Sequence, residues 1–187
     1  MAAALRDLPL RVIGLADVRG VVLPPEGEHS YRDNALGKAR AIARATGYWA
    51  LGDDSGLEVD ALDGCPGVVS ARFGGPGLTD AQRCDELVRA LAGVPAERRT
   101  ARFRSVIALC AEDREATVDG IVEGVILDAP RGTGGFGYDP LFYCPSLEAT
   151  FAEIGRDTKN AVSHRGVALA RARPVLIRWL GTPRGLV

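Results

Sequence analysis

The sequence predicts an α/β fold in which a mixed β-sheet is flanked by helices. Segments with strand and helix patterns are interspersed along the chain without strict βα alternation, which favours such a mixed sheet. The chain has 187 residues, of which 47% are hydrophobic. This length and composition predict a single domain over residues 1–187, compact or two-lobed, with a substantial core.

The first predicted elements are a short strand and a helix. Residues 10–15 are apolar and partly β-branched, which predicts a strand. After a polar loop, Ser30 and Asp33 have the spacing of a helix N-cap, and the helix is expected to end at Gly47.

Two further strands are predicted on either side of the tetrapeptide Asp53-Asp54-Ser55-Gly56. Residues 48–52 form an apolar stretch, and residues 57–60 alternate between apolar and polar side chains. Because Asp and Gly are typical turn residues, the tetrapeptide is expected to form the turn between these strands.

The remaining elements follow from capping residues, alternation and hydrophobic periodicity. They are an irregular loop up to Gly77, a helix capped by Thr79 and Gln82, two paired strands at residues 101–111 and 117–127, a brief strand at residues 141–143 and a final helix from Ser163. Pro174 within the final helix predicts a kink or a break at Arg173.

Composition excludes several classes of protein. The chain has 23 basic and 24 acidic residues and no prominent run of Lys or Arg, which argues against a nucleic acid polymer as partner. The apolar stretches are too short to cross a membrane. The four cysteines form no Cys-x-x-Cys pair, so we expect reduced thiols in a cytoplasmic protein rather than a zinc site or a disulfide framework.

The tetrapeptide at residues 53–56 is the first of three motifs with chemical potential. Adjacent carboxylates are suited to a divalent metal ion and an activated water molecule, with Glu26 or Glu28 as the source of a further oxygen ligand. The alternative is an ordinary hairpin turn without a ligand.

The second motif is the glycine-rich segment at residues 132–139. Its four glycines cost backbone entropy on folding, so they are not explained by stability. Phe136 and Tyr138 are suited to stacking on a base, and Asp139 is suited to accepting a hydrogen bond from a purine ring N–H. A flexible linker is the alternative. The segment matches neither the Walker A nor the dinucleotide-binding pattern.

The third motif is Ser163-His164-Arg165 at the start of the final helix. It offers backbone N–H groups and two side-chain donors to an oxo group or a phosphate, and Lys159 adds a cation four residues earlier. An exposed helix start is the alternative.

Lysine usage is a further clue, because Lys38 and Lys159 are the only lysines in the chain. In so arginine-rich a sequence, we expect them where a compact ammonium group is needed, with chance retention on a solvated face as the alternative. Asn34 and Lys38 lie four residues apart in the first predicted helix, so both can reach the same ligand.

The three motifs, in this order and approximate spacing, resemble those of the ITPase family, the non-canonical purine NTP pyrophosphatases. The resemblance extends over about residues 10–180, and the segment from Glu26 to Lys38 resembles a further motif of the family. It implies a two-lobed α/β fold with a cleft between the lobes, and a homodimer. It also implies Mg²⁺-dependent hydrolysis of dITP, ITP and XTP to the nucleoside monophosphate and pyrophosphate, which sanitises the nucleotide pool.

The resemblance implies roles for individual residues. Asp54 is the expected catalytic carboxylate and a metal ligand, and Glu26 is the second metal ligand. The expected substrate-binding residues are Asn34, Lys38, Ser55, Phe136, Gly137, Tyr138, Asp139, Lys159, His164 and Arg165.

The chain departs from the family at its beginning. The family opens with a strand and a Thr/Ser-x-Asn-x-x-Lys turn that holds the triphosphate, and the only asparagines here are Asn34 and Asn160. We therefore expect the translation start to lie upstream of Met1. A nucleotide-binding protein with lost or weakened catalysis is one alternative to the enzyme. A related pyrophosphatase for another modified nucleotide is the second.

Overall fold

The computed structural model describes residues 5–181. It contains a five-stranded sheet in the order β1-β2-β3-β4-β5, and all neighbouring strands are antiparallel. The strands are β1 (Ala50–Val59), β2 (Thr100–Cys110), β3 (Glu115–Ile126), β4 (Phe142–Cys144) and β5 (Ala149–Thr150). The helices are α1 (Tyr31–Thr46), α2 (Asp80–Ala90), α3 (Arg156–Val162) and α4 (His164–Gly181).

The predicted α/β architecture with flanking helices is confirmed. Helix α1 packs against β1 and β2, and α4 packs against β2 and β3. The two long strands pair as expected through a short connection at residues 111–114. The described pairings are all antiparallel rather than mixed. A parallel pair needs a further strand brought in by a crossover connection, and residues 5–49 contribute no strand.

The strand predicted at residues 10–15 is wrong. This segment has no strand partner in the described part of the chain, and its end turns into a short 3-10 helix at Leu15–Asp17. Val12 and Ile13 remain nearly half exposed. An apolar, β-branched sequence forms a strand only where another strand completes its backbone hydrogen bonds.

Helix α1 begins and ends where the sequence predicts. The Ser30 hydroxyl accepts a hydrogen bond from the Asp33 N–H at 3.1 Å, and Gly47 ends the helix with a φ of 69°. The helix lies unusually close to β1, because a Cβ atom at Gly52 would come within 2.2 Å of the Ala35 carbonyl oxygen. This close packing positions the polar residues of α1 over the middle of β1.

The turn predicted at Asp53-Asp54-Ser55-Gly56 is also wrong. Residues 50–59 form one continuous strand, in which Asp54 pairs with Val106 of β2 and Ser55 pairs with Ser105. The unbroken ladder with β2 overrides the turn preference of Asp and Gly, because each residue of the segment gains a strand partner.

The capping residues predict the start of α2 correctly, whereas Pro174 does not interrupt α4. Thr79 and Gln82 form the predicted capping box at the start of α2. Of the kink or break predicted at Arg173, the break is not found, since α4 is continuous past Pro174. The buried side chains Ala172 and Leu176 pack on the core on both sides of the proline, and this packing compensates for the lost hydrogen bond.

The helices divide the sheet into two halves. Val106 faces a cluster under α1, and its neighbour Ile107 faces a cluster under α4, so helices cover both faces of one half. The other half packs against a third cluster that includes Leu87 of α2 and Phe142 of β4. The segment of β1 from Asp53 to Gly56 lies between these halves. None of the helices in residues 5–181 is long and apolar enough to cross a lipid bilayer.

Candidate active site

A cluster of polar side chains joins α1, β1 and the loop that precedes α1. Asp54 accepts hydrogen bonds from the Asn34 side-chain amide at 3.1 Å and from Lys38 Nζ at 2.9 Å. Lys38 Nζ also lies 2.6 Å from Glu26 Oε1 and donates to the Asp53 carbonyl oxygen at 3.0 Å. The structure therefore brings Glu26, Asn34, Lys38 and Asp54 together, and both predicted metal ligands converge on one ammonium group.

The loop that carries Glu26 is fixed by Asn34. The Gly27 N–H donates to Asn34 Oδ1 at 2.8 Å, and Asn34 Nδ2 donates to the Gly27 carbonyl oxygen at 3.1 Å. Asn34 thus ties the loop before α1 to the catalytic candidate Asp54. A one-turn spacing on α1 places Lys38 beside it, as the sequence predicts.

Burial and hydrogen bonds shift the pKa values of this cluster in opposite directions. Burial raises the pKa of Asp54, and the hydrogen bonds from Lys38 and Asn34 only partly offset that effect. For Lys38, burial works in the opposite direction, but the Glu26 and Asp54 carboxylates outweigh it and leave its pKa raised. Asp54 is therefore a stronger base than an exposed aspartate, and Lys38 stays positively charged.

Asp53 points to the opposite face of the sheet from Asp54, because neighbouring side chains of a strand alternate. Asp53 accepts hydrogen bonds from Arg165 Nε and from the Ser105 hydroxyl, both at 2.6 Å. Arg165 Nη2 also donates to the Ser55 hydroxyl at 2.6 Å. The two adjacent carboxylates therefore do not form the shared metal site that the turn interpretation suggested; Asp53 instead holds Arg165.

A cavity of about 250 Å³ lies on the Asp53 face of β1. Its walls come from β1, β2, α2, the glycine-rich segment and the start of α4. The lining residues are Ser55, Gly56, Ser70, Ala71, Asp80, Arg83, Phe103, Phe136, Gly137, Tyr138, Asp139, His164 and Arg165. Seven of the predicted substrate-binding residues thus line one cavity.

His164 is a buried, uncharged donor and acceptor in the cavity wall. Its ring stacks on Phe103 with the centroids 4.7 Å apart, and its Nδ1 has no hydrogen-bond partner in the described part of the chain. Burial, with the charges of Arg165 and Lys159, lowers the pKa of His164 to about 3. The imidazole is therefore neutral at pH 7.

The glycine-rich segment is ordered by Asp139. This buried carboxylate accepts hydrogen bonds from the Phe136 N–H at 2.7 Å and from Lys159 Nζ. A Cβ atom at Gly135 would lie 2.1 Å from Asp139 Oδ2, and the φ of Gly135 is 75°, so this position requires glycine. These contacts argue against the alternative of a flexible linker.

The two aromatic rings of the segment have different environments. Phe136 is 59% exposed, with Lys159 Nζ 4.4 Å and Arg165 Cζ 5.5 Å from its ring centroid. Tyr138 is buried, and its hydroxyl donates to the Ser70 carbonyl oxygen at 2.9 Å. Phe136 therefore offers an exposed ring face, whereas Tyr138 lies within the wall.

Sequence reasoning gave Asp53 a different role and did not identify Asp80 and Arg83 as residues of this site. Asp53 holds Arg165, Asp80 accepts a hydrogen bond from the Gly137 N–H at 2.6 Å, and Arg83 lines the cavity. The capping box at Thr79 predicts that Asp80 and Arg83 begin a helix. No local pattern indicates that this helix start meets the glycine-rich segment, because the contact depends on the tertiary fold.

No group of three or more His, Cys, Asp or Glu side chains within residues 5–181 is arranged to hold a metal ion. The two predicted ligands, Glu26 and Asp54, form a pair of carboxylates instead.

Comparison with known proteins identifies relatives over nearly the whole chain. The family model described as the Ham1 family matches residues 1–175. A dITP/XTP pyrophosphatase of Geobacter sulfurreducens is 50% identical over 97% of this chain and 91% of its own length. A dITP/XTP pyrophosphatase of Desulforamulus reducens is 48% identical over 95% of this chain and 89% of its own length.

Solved structures give the same relationship. The structure of a HAM1 protein from Coxiella burnetii is similar with a TM-score of 0.84 and 41% identity, and the match covers 95% of this chain and 91% of that one. The relationship predicted from the three motifs is confirmed, and this chain belongs to the Ham1 family.

Proposed function

We propose that this protein is a nucleoside triphosphate pyrophosphatase that hydrolyses non-canonical purine nucleotides such as dITP, ITP and XTP to the monophosphate and pyrophosphate. One observation carries the proposal: a carboxylate–lysine cluster and a base-sized cavity lie on opposite faces of the same short segment of β1. The names of the relatives, dITP/XTP pyrophosphatase, support the substrate class.

A single nucleotide can reach both faces across the edge of β1 that faces away from β2. At this edge, the Asp53 carbonyl oxygen binds Lys38, and the Leu57 N–H donates to the Ser70 hydroxyl at 2.8 Å. Ser55 lies between these two contacts, beside the cavity. In the proposed complex, the nucleotide crosses the edge at Ser55, with its phosphates beside Asp54 and its base in the cavity.

The Glu26 and Asp54 carboxylates fit a Mg²⁺ ion. Both already lie within hydrogen-bond distance of one positive charge, Lys38 Nζ. Mg²⁺ in nucleotide-processing sites is commonly held by one or two carboxylates together with phosphate oxygens and water. When bound, the ion supplies neutralisation of phosphate charge and a more acidic water molecule.

Asp54 and Lys38 have separate roles in the proposed reaction, which concern the proton of the attacking water and the developing negative charge. In the proposed reaction, Asp54 accepts a proton from the attacking water molecule while the oxygen of that water bonds to the α-phosphorus. The bond between the α-phosphorus and the bridging oxygen to the β-phosphorus breaks, and pyrophosphate leaves with that bond's electron pair. Lys38, which keeps its charge, stabilises the negative charge that develops beside Asp54.

Base selection rests on donors around the cavity. Arg165, held in place by Asp53, and the neutral His164 are suited to a purine 6-oxo group. An adenine amino group would face another donor there, and polar mismatches of this kind discriminate strongly between substrates. Phe136 supplies the exposed ring for stacking on the base.

Pyrophosphate release is the test of the proposed function. We expect release from dITP, ITP and XTP in the presence of Mg²⁺, little from ATP, and none after the metal is removed by a chelator. Binding of ITP without release would instead support the nucleotide-binding alternative. Release only from modified pyrimidine triphosphates would support the second alternative. The expected homodimer stays a prediction, which light scattering tests.

A further inference from the structure

The first turn of α2 forms part of the cavity wall. Arg83 Nη1 donates to the carbonyl oxygens of Phe73 at 3.0 Å and of Gly75 at 3.2 Å. One turn earlier, Asp80 accepts the Gly137 N–H from the glycine-rich segment. These contacts fix the helix start against both the preceding loop and the segment proposed to hold the base.

Arg83 retains hydrogen-bonding capacity toward the cavity. A guanidinium group has five N–H donors, and the two carbonyl oxygens account for those of Nη1. Its Nε and Nη2 have no acceptor within residues 5–181, although Arg83 is partly buried and lines the cavity. The charge of Arg83 also opposes the rise that burial causes in the pKa of Tyr138, which lines the same cavity.

The direction of a bound base follows from the two ends of the site. The ribose is attached to purine N9, and the phosphates are proposed to lie beside Asp54. The base therefore enters past Ser55 with the edge that carries N1, C2 and C6 leading. His164 and Arg165 supply donors on the α4 wall, and Arg83 supplies donors on the α2 wall.

The geometry points to Arg83 as a specificity-determining residue that reads the purine 2-position. This inference rests on the proposed function. Arg83 donates to the 2-oxo group of xanthine, tolerates the C2–H of hypoxanthine and opposes the 2-amino group of guanine, which is itself a donor. The 6-oxo group is common to all three bases, so the donors on the α4 wall do not distinguish guanine from the other two.

The expected consequence is an order of preference among three matched ribonucleotides. Hydrogen bonds to charged groups contribute about 1.5–3 kcal/mol, which corresponds to about 10- to 100-fold in kcat/KM. We expect kcat/KM for XTP to exceed that for GTP by at least this factor, with ITP between them.

The test replaces Arg83 by methionine, which keeps the length of the side chain and removes its donors. We expect Arg83→Met to lower the XTP:GTP ratio of kcat/KM by at least about tenfold, through loss with XTP and gain with GTP. Arg89→Met is the matched control on the same helix, because Arg89 is exposed, pairs with Glu86 at 2.9 Å and does not line the cavity. This control should leave the ratio unchanged.

Loss of the loop contacts at Phe73 and Gly75 is a competing explanation, and it has a different signature. An equal loss of activity with XTP, ITP and GTP in Arg83→Met would overturn the inference. Should this variant fail to fold, as judged by its thermal unfolding, Arg83→Gln replaces it. The Gln amide oxygen can accept a hydrogen bond from a 2-amino group, so an XTP:GTP ratio equal to that of the wild type contradicts the inference.

Binding of the monophosphates separates this inference from the proposed function. Calorimetric titration with XMP, IMP and GMP measures base preference without hydrolysis. Tighter binding of XMP than of GMP that depends on Arg83, in a protein that hydrolyses none of the triphosphates, supports the inference and refutes the function. Turnover with a ratio that does not depend on Arg83 refutes the inference alone. A protein that neither hydrolyses the triphosphates nor binds the monophosphates would refute both the function and the inference.

Discussion

The two faces of β1 differ in how their functional groups are assembled. On the α1 face, Asn34 and Lys38 come from one helix and meet Asp54 of the strand beneath it. On the other face, the cavity combines segments from β1, α2, the glycine-rich segment and α4. The first face is a local arrangement that depends on one helix packing closely on one strand. The second depends on the whole tertiary fold.

This difference separates the proposed roles of the two faces. The α1 face contains a carboxylate whose pKa is raised and an ammonium group that stays charged, which suits bond breaking at phosphorus. The cavity face contains a neutral imidazole, an exposed ring and anchored guanidinium groups, which suits recognition of a base. Substitutions on the α1 face should therefore lower turnover, and those on the cavity face should change selectivity or affinity.

The largest expected effect is that of Asp54→Asn on the α1 face. Loss of the proton acceptor should lower kcat by about 10²- to 10⁴-fold, while ITP binding is retained. Pyrophosphate release and calorimetric binding measure the two quantities. Asp128→Asn, at an exposed position outside the site, is the control. Turnover close to that of the wild type in Asp54→Asn contradicts the assigned role.

Lys38→Met tests the role of Lys38 on the α1 face through the pH dependence of activity. The Lys38 hydrogen bond lowers the pKa of Asp54, so its removal should raise that pKa further. Since Asp54 acts in its ionised form, activity should rise with pH through a midpoint that lies higher in the variant than in the wild type. We also expect kcat/KM to fall by about 100-fold. An acidic limb of the pH profile with the same midpoint as in the wild type would contradict the assigned role of Lys38.

Gly52→Ala tests the close packing that defines the α1 face. An added Cβ would come within 2.2 Å of the Ala35 carbonyl oxygen, so α1 must shift. We expect a loss of about 1–3 kcal/mol in the free energy of unfolding, measured by urea denaturation. Turnover should fall more than binding of IMP, because the cavity lies on the other face. Gly155→Ala is the control, since a Cβ atom there meets no neighbour within 4 Å.

Asp53→Asn has the smallest expected effect and acts on the cavity face. It weakens the anchor of Arg165 without removing a group that touches the substrate. We expect KM for ITP to rise by about tenfold with a much smaller change in kcat. A loss confined to kcat would place Asp53 in the chemical step and break the division between the two faces.

Local signals in the sequence predicted the elements whose geometry is set locally. Ser30 and Gly47 define α1 because capping bonds involve only the first and last turns. The same kind of rule failed for Asp53-Asp54-Ser55-Gly56 and for Pro174. There, pairing with β2 and packing of α4 supply free energy that no local pattern records.

The sequence predicts which residues belong to the site, but it does not predict how they are arranged in space. The motifs identified Asp54, Glu26 and Lys38, which the structure brings into one cluster. The turn interpretation placed Asp53 beside Asp54, whereas strand alternation separates them by the thickness of the sheet. Arg83 belongs to none of the motifs, and its place in the cavity wall follows only from the packing of α2.

A crystal structure of the Asp54→Asn variant with ITP and Mg²⁺ would show whether one nucleotide spans both faces of β1. We expect the hypoxanthine ring in the cavity against Phe136 and the α-phosphate beside position 54 and Glu26. A base bound outside the cavity, or a triphosphate bound away from position 54, would contradict this expectation.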